Sequence, residues 1–199
     1  MHGLINRSIQ TFLSDTYGPP VWEAVARAIG VTPAGFESML IYDDALTDQV
    51  IDTGASLLHR PREALLEDLG TYLVSRGNQS ALRRLLRFSG VNFADFLNSL
   101  EELPGRGRLV LPDLDMPDID LTDHGQGQFT LRCAARLPGV GHIIMGLLRA
   151  MADDYGALVL LDHLGAEVGA VDGAESLSIQ IADQDFAVAR PFSLGLGDA

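Results

Sequence analysis

The chain has 199 residues, 47% of them hydrophobic and 21% charged, which is the size and composition of one globular domain that folds without disulfides. Its 27 acidic and 14 basic residues give a formal net charge of −13, and this excess of negative charge argues against binding to nucleic acid. The single cysteine, Cys133, excludes an internal disulfide and a cysteine-rich zinc site. The sequence has no signal-peptide pattern and no apolar run of about 20 residues, so we expect a cytoplasmic protein with no membrane span.

The N-terminal half of the chain predicts a series of helices joined by short loops. The first helix stops before Gly18, and the second ends at Gly30, because glycine favours the end of a helix. Thr47 or Asp48 is expected to cap a third helix that continues to about Leu58.

Three more helices are predicted before residue 104. Pro61 opens the fourth helix, the fifth covers residues 80–88, and Asn92 caps the sixth. Because Pro104 lacks the backbone N–H that a helix needs, we expect it to end the sixth helix. Short loops between these segments indicate a packed helical part.

From about residue 109 the pattern changes to that of a sheet. Acidic and apolar residues alternate over 113–123, and the alternation returns over 127–136, as in strands with one face in water. An amphipathic helix is predicted over 141–156, and two further strands over 157–164 and 175–183.

Helices followed by ββαββ indicate an α+β fold with an antiparallel sheet. We therefore predict one domain over residues 1–185. Its helical part covers 1–103, its sheet part covers 109–185, and an irregular tail follows at 186–199.

No motif in the sequence is typical of an enzyme, since neither G-x-S-x-G nor H-E-x-x-H occurs. None of the five histidines has a partner at the spacing of metal ligands, so no metal cluster is expected. His142 lies in the first turn of a predicted helix, where a partly buried structural role is favoured and ligation is the alternative. The other four are His2, His59, His124 and His163.

Three stretches have both a functional and a structural interpretation. Gly139 and Gly141 begin a helix and so offer amides to an anion, with a plain helix start as the alternative. The acidic residues of the first strand lack the central glycine and final glutamate of a calcium loop, which favours a solvated strand face. Arg83, Arg84 and Arg87 either pair with nearby acids or dock an acidic partner.

Four motifs occur in the same order in a known family. The opening "MHGLINRSIQTFLSDTYGPPVWEAV" contains Met1-x-Gly3, Tyr17-Gly18 and Val21-Trp22-Glu23, and it is followed by "IYDD", "FLNSLEEL" and "GLLRAMADDYG". These motifs resemble the H-NOX (heme-nitric oxide/oxygen binding) family, which includes the regulatory domain of soluble guanylate cyclase. The resemblance covers about residues 1–183 and implies the H-NOX fold, helices followed by ββαββ.

The resemblance implies a gas sensor that binds heme b between the helical part and the sheet. In the family a proximal histidine on the helix after "FL" ligates the iron, and a Tyr-x-Ser-x-Arg motif holds the propionates. Ile5 and Ile143 would line the apolar pocket. Because residues 143–145 include no tyrosine that could donate a hydrogen bond to a bound dioxygen, NO or CO is the expected gas.

The chain departs from the family at the iron ligand. Ungapped alignment of "FLNSLEEL" places Pro104 at the position of the proximal histidine, and proline has no side-chain donor for iron. The propionate motif reads Arg132-Cys133-Ala134-Ala135-Arg136, so that only Arg136 matches it. Arg136 and Arg132 are the candidate propionate-binding residues, and His142 is an alternative iron ligand.

Three hypotheses remain. The first is a non-enzymatic heme sensor of NO that regulates a separate partner, by family analogy a histidine kinase or a cyclic-dinucleotide enzyme. The second is a heme-independent H-NOX module that binds another apolar ligand or acts through protein interaction alone. The third, an enzyme on an α+β scaffold, has no supporting carboxylate pair or nucleophile–base spacing.

Overall fold

The computed structural model describes residues 1–75, 90–110, 113–166, 173–184 and 186. The helical part contains α1 (Gly3–Tyr17), α2 (Pro19–Ile29), α3 (Asp44–Leu58), α4 (Arg62–Ser75), α5 (Phe93–Ser99), a 3₁₀ turn (Leu100–Glu102) and α6 (Leu103–Val110). The sheet part contains β1 (Asp118–Gly125), β2 (Gln128–Ala134), α7 (Val140–Tyr155), β3 (Leu158–Ala166) and β4 (Glu175–Asp183). The predicted α+β order, helices followed by ββαββ, is confirmed.

The predicted fifth helix, at residues 80–88, lies outside the described residues, and so does its cluster of Arg83, Arg84 and Arg87. None of the helices in the described ranges is long and apolar enough to cross a membrane.

The four strands form one antiparallel sheet in the order β1-β2-β4-β3. Alternate residues of β2 and β4 face α7 and are buried, with Leu131 paired to Leu177 across the two strands. On β1, Ile119 is buried while Asp118 and Asp120 are exposed. The acidic stretch is therefore a solvated strand face, as the alternation predicts.

Two apolar cores are joined through α7. Leu148 and Met151 are fully buried in the core of the sheet part, whereas Ile143 packs against the core of the helical part. α4 and α7 approach so closely that a Cβ at Gly146 would overlap the carbonyl oxygen of Glu67. α7 is thus the element through which the two parts touch.

The predicted start of the third helix is wrong. α3 begins at Asp44, because the side chain of Asp43 accepts a hydrogen bond from the Ala45 amide at 3.0 Å and so caps the helix. Thr47, one of the predicted caps, is buried inside α3, where its hydroxyl donates to Asn6 Oδ1 at 2.6 Å.

The prediction that Pro104 ends the helical part is also wrong. α5 stops at Ser99, and the chain continues through the 3₁₀ turn into α6, so the helical segment reaches Val110. The Leu103 N–H donates a hydrogen bond to the carbonyl of Leu100. In an unbroken α-helix, that carbonyl would accept a hydrogen bond from the N–H of residue 104. Pro104 has no N–H to offer that carbonyl, and it lies instead in the first turn of α6, where proline is tolerated.

Candidate ligand-binding cleft

A cleft of about 860 Å³ opens between the helical part and the sheet part. One wall comes from the start of α4, and the others come from the start of α7 and from the ends of β2, β3 and β4 with the segment before β1. This volume lies within the range of small-molecule sites in proteins. The apolar residues that line it include Leu66, Met116, Ala134, Ala135 and Pro138, and the polar ones include Arg62, Arg136, His142, His163 and Glu175.

The carboxylate of Glu175 is buried at the start of α7. It accepts hydrogen bonds from the amides of Gly139 at 2.7 Å and Gly141 at 3.1 Å, and it lies 2.8 Å from Nε2 of His163. The amides of Gly139 and Gly141 were predicted to bind an anion, and the anion that they bind is the carboxylate of Glu175. The dipole of α7 also favours a negative charge at this place.

His142 and His163 stack in the wall of the cleft, with ring centroids 4.1 Å apart and planes 17° from parallel. Nδ1 of His142 lies 3.3 Å from Oε1 of Glu67, whose Oε2 accepts a hydrogen bond from Arg149 at 3.0 Å. The ring of His142 is mostly buried and bonded, as expected for the structural role that the sequence favours. It also faces the cleft.

Arg62 fixes the start of α4 beside the cleft. Its guanidinium donates to Asp52, to Asp48 at 2.6 Å and to the carbonyl of Pro138 at 3.3 Å. Burial acts to lower the pKa of Arg62, but the hydrogen bonds and charges of Asp52 and Asp48 raise this pKa above its ordinary value. Arg62 is therefore a permanent cation that ties α3 to the segment before α7.

The two arginines predicted to bind propionates lie in different environments. Arg136 lines the cleft and is 69% exposed, with Nε paired to Asp115 at 3.0 Å. Arg132 lies opposite Asp120 in the β1–β2 register and pairs with it at 3.6 Å, on the face of the sheet away from the core. The structure thus brings Arg136, but not Arg132, to the cleft.

Position 104 lies apart from the residues that line the cleft. Pro104 is buried, and its neighbours Leu100 and Leu103 belong to the core of the sheet part. Ile5 and Ile143, predicted to line a cofactor pocket, both pack half-buried against the core of the helical part.

The other three histidines serve local structure. His2 caps α1 by accepting the Leu4 amide at 3.1 Å, His59 ends α3, and His124 bonds Thr130 at 2.8 Å. Within the described ranges, no group of three or more His, Cys, Asp or Glu side chains is arranged to hold a metal ion.

Sequence reasoning missed Glu67, Glu175, Arg62 and the pairing of His142 with His163. His142 and Glu67 are 75 residues apart in the chain, and Gly139 and Glu175 are 36 apart. No periodicity or spacing signals such contacts. The one available hint was the glycine pair at the start of α7.

The sequence profile of the family described as Haem-NO-binding matches residues 2–163. Soluble guanylate cyclase gcy-31 of Caenorhabditis elegans is 25% identical over 154 residues, which are 77% of this chain and 22% of that protein. Soluble guanylate cyclase 89Da of Drosophila melanogaster is 19% identical over 194 residues, which are 98% of this chain and 29% of that protein. The chain thus spans less than a third of the length of these relatives.

Solved H-NOX structures have the same fold. An H-NOX protein from S. oneidensis in its Fe(II)NO ligation state gives a TM-score of 0.75 at 16% identity, over 92% of this chain and 100% of that one. The I5F mutant of the T. Tengcongensis H-NOX gives a TM-score of 0.76 at 13% identity, over 92% of this chain and 99% of that one. At these identities the likeness shows the fold alone.

Proposed function

This chain belongs to the Haem-NO-binding family of sensor domains, and from that premise we propose that it reports the binding of a ligand to a signalling partner and catalyses no reaction itself. The observation that carries the proposal is the position of the cleft. Its walls come from both parts of the domain, and α7 packs on both apolar cores. A ligand in the cleft would contact both parts and so bias how they pack.

Position 104, which the ungapped alignment of "FLNSLEEL" places at the proximal site, does not fit the family's heme. The side chain at position 104 is a buried proline, which offers no atom to iron, and the residues around it fill the core with apolar groups. We therefore assign no iron ligand to α6. When bound, heme supplies an iron atom that binds NO.

The partner is proposed from the family. The curated relatives are guanylate cyclases much longer than this chain, which supports an output through another signalling domain or protein. A histidine kinase or a cyclic-dinucleotide enzyme, with NO as the signal and the cytoplasm as the compartment, is the proposal for this chain.

Amide hydrogen exchange tests the proposed sensor role. The protein is compared alone, with hemin and dithionite, and with NO added to that mixture. We expect altered protection at the start of α7, which lines the cleft, and also in residues 69–75 of α4, which lie beyond the cleft lining and contact the α7 backbone at Gly70. If protection changes only at the cleft, or nowhere, ligand binding is not transmitted and the sensor proposal fails.

A Pro104→His variant tests the assignment at α6, with Pro104→Ala as its matched control. We expect the alanine variant to bind hemin with the spectrum of the wild type, since neither residue offers an iron ligand. The histidine variant would gain an absorption spectrum of its own. A changed spectrum for Pro104→Ala would contradict the assignment.

A heme-independent module is the second candidate. The burial of Leu100, Leu103 and Pro104 favours it, because the protein's own side chains pack this region. Urea unfolding of the colourless protein should then be cooperative, with hemin leaving the midpoint unchanged. A midpoint that rises with hemin concentration would exclude this candidate.

A further inference from the structure

The two outer strands of the sheet differ in how their free edges are protected. In the described part of the chain these outer strands are β1 and β3. An outer strand leaves a row of backbone N–H and C=O groups unpaired, and natural proteins protect such a row with charged side chains, proline or bulges. β1 exposes Asp118, Asp120 and Asp123 along its length. β3 has less protection, because it contains no Lys, Arg or Pro and one acid, Asp162.

β3 exposes leucine side chains instead of charges. Leu160 is 57% exposed and Leu164 is 61% exposed, and Leu158 is 40% exposed. All three lie on the face of the sheet away from the core, since Val159 and Leu161 between them pack against the core of the sheet part.

The neighbouring strands are polar on this outer face. In the register of the sheet, one row of side chains across the four strands consists of Asp162, Ser178, Thr130 and Thr122. Of the described strands, β3 is the one that exposes large apolar side chains. The exposed leucines therefore lie on a strand that also has an unpaired edge, which is typical of a surface that another chain covers.

The central part of β3 is regular enough to pair with a further strand. Register shifts lie at its two ends, and Val159–His163 pairs with β4 residue by residue. An extended segment can add to such an edge through backbone hydrogen bonds, while alternate side chains select its sequence. On the outer face of β3 the selecting side chains are Leu160 and Asp162, and Leu164 follows beyond the second register shift.

The charge of Asp162 determines which partner fits. Within the described residues Asp162 forms no ion pair, and Ser178 lies opposite it on β4. A second copy of this chain, paired antiparallel with Leu160 against Leu164, would place Asp162 opposite its own copy, where like charges destabilise a sheet. The formal net charge of −13 on each copy adds to this repulsion. A basic residue opposite Asp162 would be stabilising.

We propose that the edge of β3 binds an extended segment of a signalling partner, which adds to the sheet as a further strand and places a Lys or Arg, flanked by apolar residues on the same face, opposite Asp162. β3 also reaches the cleft, because His163 and Ala166 line it. The segment would therefore bind beside the place where a ligand acts. This inference rests on the proposed output through a partner, and it names the surface and the chemistry of the bound segment.

Two synthetic peptides test the inference with the full chain. In both peptides threonine and valine alternate, and the central valine is replaced by arginine in one and by glutamate in the other. Fluorescence anisotropy of the labelled peptides at low salt measures their affinities. We expect the arginine peptide to bind with a dissociation constant at or below about 1 mM, and about fivefold more tightly than the glutamate peptide. Equal affinities, or no binding of the arginine peptide, would overturn the proposal.

Charge reversal on β3 makes the test specific to this edge. Asp162→Lys should reverse the preference, so that the glutamate peptide binds more tightly. Asp120→Lys makes the same change of charge on the other outer strand, and this matched control should keep the preference for arginine. Leu160→Thr should weaken both peptides equally, since it removes an apolar contact and leaves the charge. A preference that Asp162→Lys leaves unchanged would overturn the proposal.

Amide hydrogen exchange locates the bound peptide. We expect alternate amides of Val159–His163 to exchange fast in the free protein and slowly with the arginine peptide bound. Slow exchange of all these amides in the free monomer would mean that the chain itself covers the edge. A dimer in light scattering that Asp162→Lys strengthens would mean that a second copy covers it. Either result would overturn the proposal.

Failure of this inference is distinct from failure of the sensor function. If no peptide binds but a ligand in the cleft still changes hydrogen exchange in α4, the sensor proposal stands with another output surface. If the arginine peptide binds β3 but no ligand changes exchange in α4, the edge binds its partner and the sensor proposal fails.

Discussion

The starts of α6 and α7 differ in what the domain places around them. α6 begins with Leu103, which lies in the apolar core of the sheet part, and with Pro104, which is also buried. α7 begins among polar groups, where Glu175 binds two amides and His142 faces a cleft. The buried side chains at the start of α6 offer a ligand no polar atom, whereas His142 and Glu175 at the start of α7 line the cleft. Of these two helix starts, the one of α7 therefore offers polar groups to a ligand in the cleft.

Removal of the Glu175 carboxylate should lower the stability of the domain more than the other substitutions considered below. Glu175→Ala leaves the amides of Gly139 and Gly141 and the ring of His163 without their acceptor in a buried place. We expect the free energy of unfolding to fall by about 3 kcal/mol, the scale of several unsatisfied buried donors. Urea unfolding near neutral pH measures it.

Glu175→Gln is the control for that variant, since it keeps one acceptor oxygen and nearly the same volume. We expect Glu175→Gln to lower the free energy of unfolding by less, about 1–2 kcal/mol. If Glu175→Ala unfolds at the wild-type urea concentration, the polar start of α7 contributes nothing to stability and the comparison with α6 loses its basis.

A glycine-to-alanine substitution at the start of α7 should destabilise the domain. A Cβ at Gly141 would lie 2.7 Å from Glu175 Oε2 and 2.7 Å from His163 Nε2. Both atoms are bonded and cannot move away without losing their partners. We expect a loss of about 1–2 kcal/mol, since overpacking outweighs the gain in helix propensity. Thermal unfolding measures the loss.

The same substitution at the start of α6 should have the opposite sign. Gly105 is exposed within α6, and no atom lies within 4 Å of the position that a Cβ would take. We expect Gly105→Ala to stabilise the domain by about 0.5–1 kcal/mol through reduced freedom of the unfolded chain. Equal effects of Gly105→Ala and Gly141→Ala would show that the two helix starts are equally crowded.

The smallest effect concerns the far end of α7. Burial raises the pKa of Tyr155, and the charges of Asp95 and Asp154 raise it further. The folded state therefore holds this proton more tightly than the unfolded state, so the stabilisation is present below the unfolded pKa of 10.0 and is lost as pH rises through the folded pKa.

Tyr155→Phe should remove the part of the stability loss at alkaline pH that comes from ionisation of this phenol. Unfolding free energies of both proteins, compared between pH of about 8 and about 10.5, give the difference in slope. Parallel slopes would mean that α5 and the end of α7 are not coupled through this phenol. Tyr17, whose pKa burial and Asp68 also raise, is unchanged in both proteins and cancels in the comparison.

Much of the fold was predictable because its signals are local. Asn92 caps α5 by accepting the Asp95 amide at 2.9 Å, and Gly30 and Gly156 end α2 and α7 in the left-handed conformation. β4 spans the predicted residues 175–183. The cap of α3 was misplaced because Thr47 is as good a cap as Asp43 in isolation, and only its burial against Asn6 excludes it.

The continuation past Pro104 required more than local preference. Proline interrupts the hydrogen-bond ladder wherever it stands inside a helix. Here burial of Leu100 and Leu103 in the core of the sheet part favours helical backbone on both sides of the break. A 3₁₀ turn absorbs the missing bond. Packing therefore decided whether proline ended the helical part or only divided it.

The sequence by itself determined the order of helices and strands, the family, and the absence of an imidazole at position 104, because these depend on residue type and on neighbours a few positions apart. Only the tertiary structure decided that Glu67, His142, His163 and Glu175 meet in one place. The α4–α7 contact and the β3–β4 pairing bring them together, and contacts between residues distant in sequence leave no local signal. The cleft follows from that assembly.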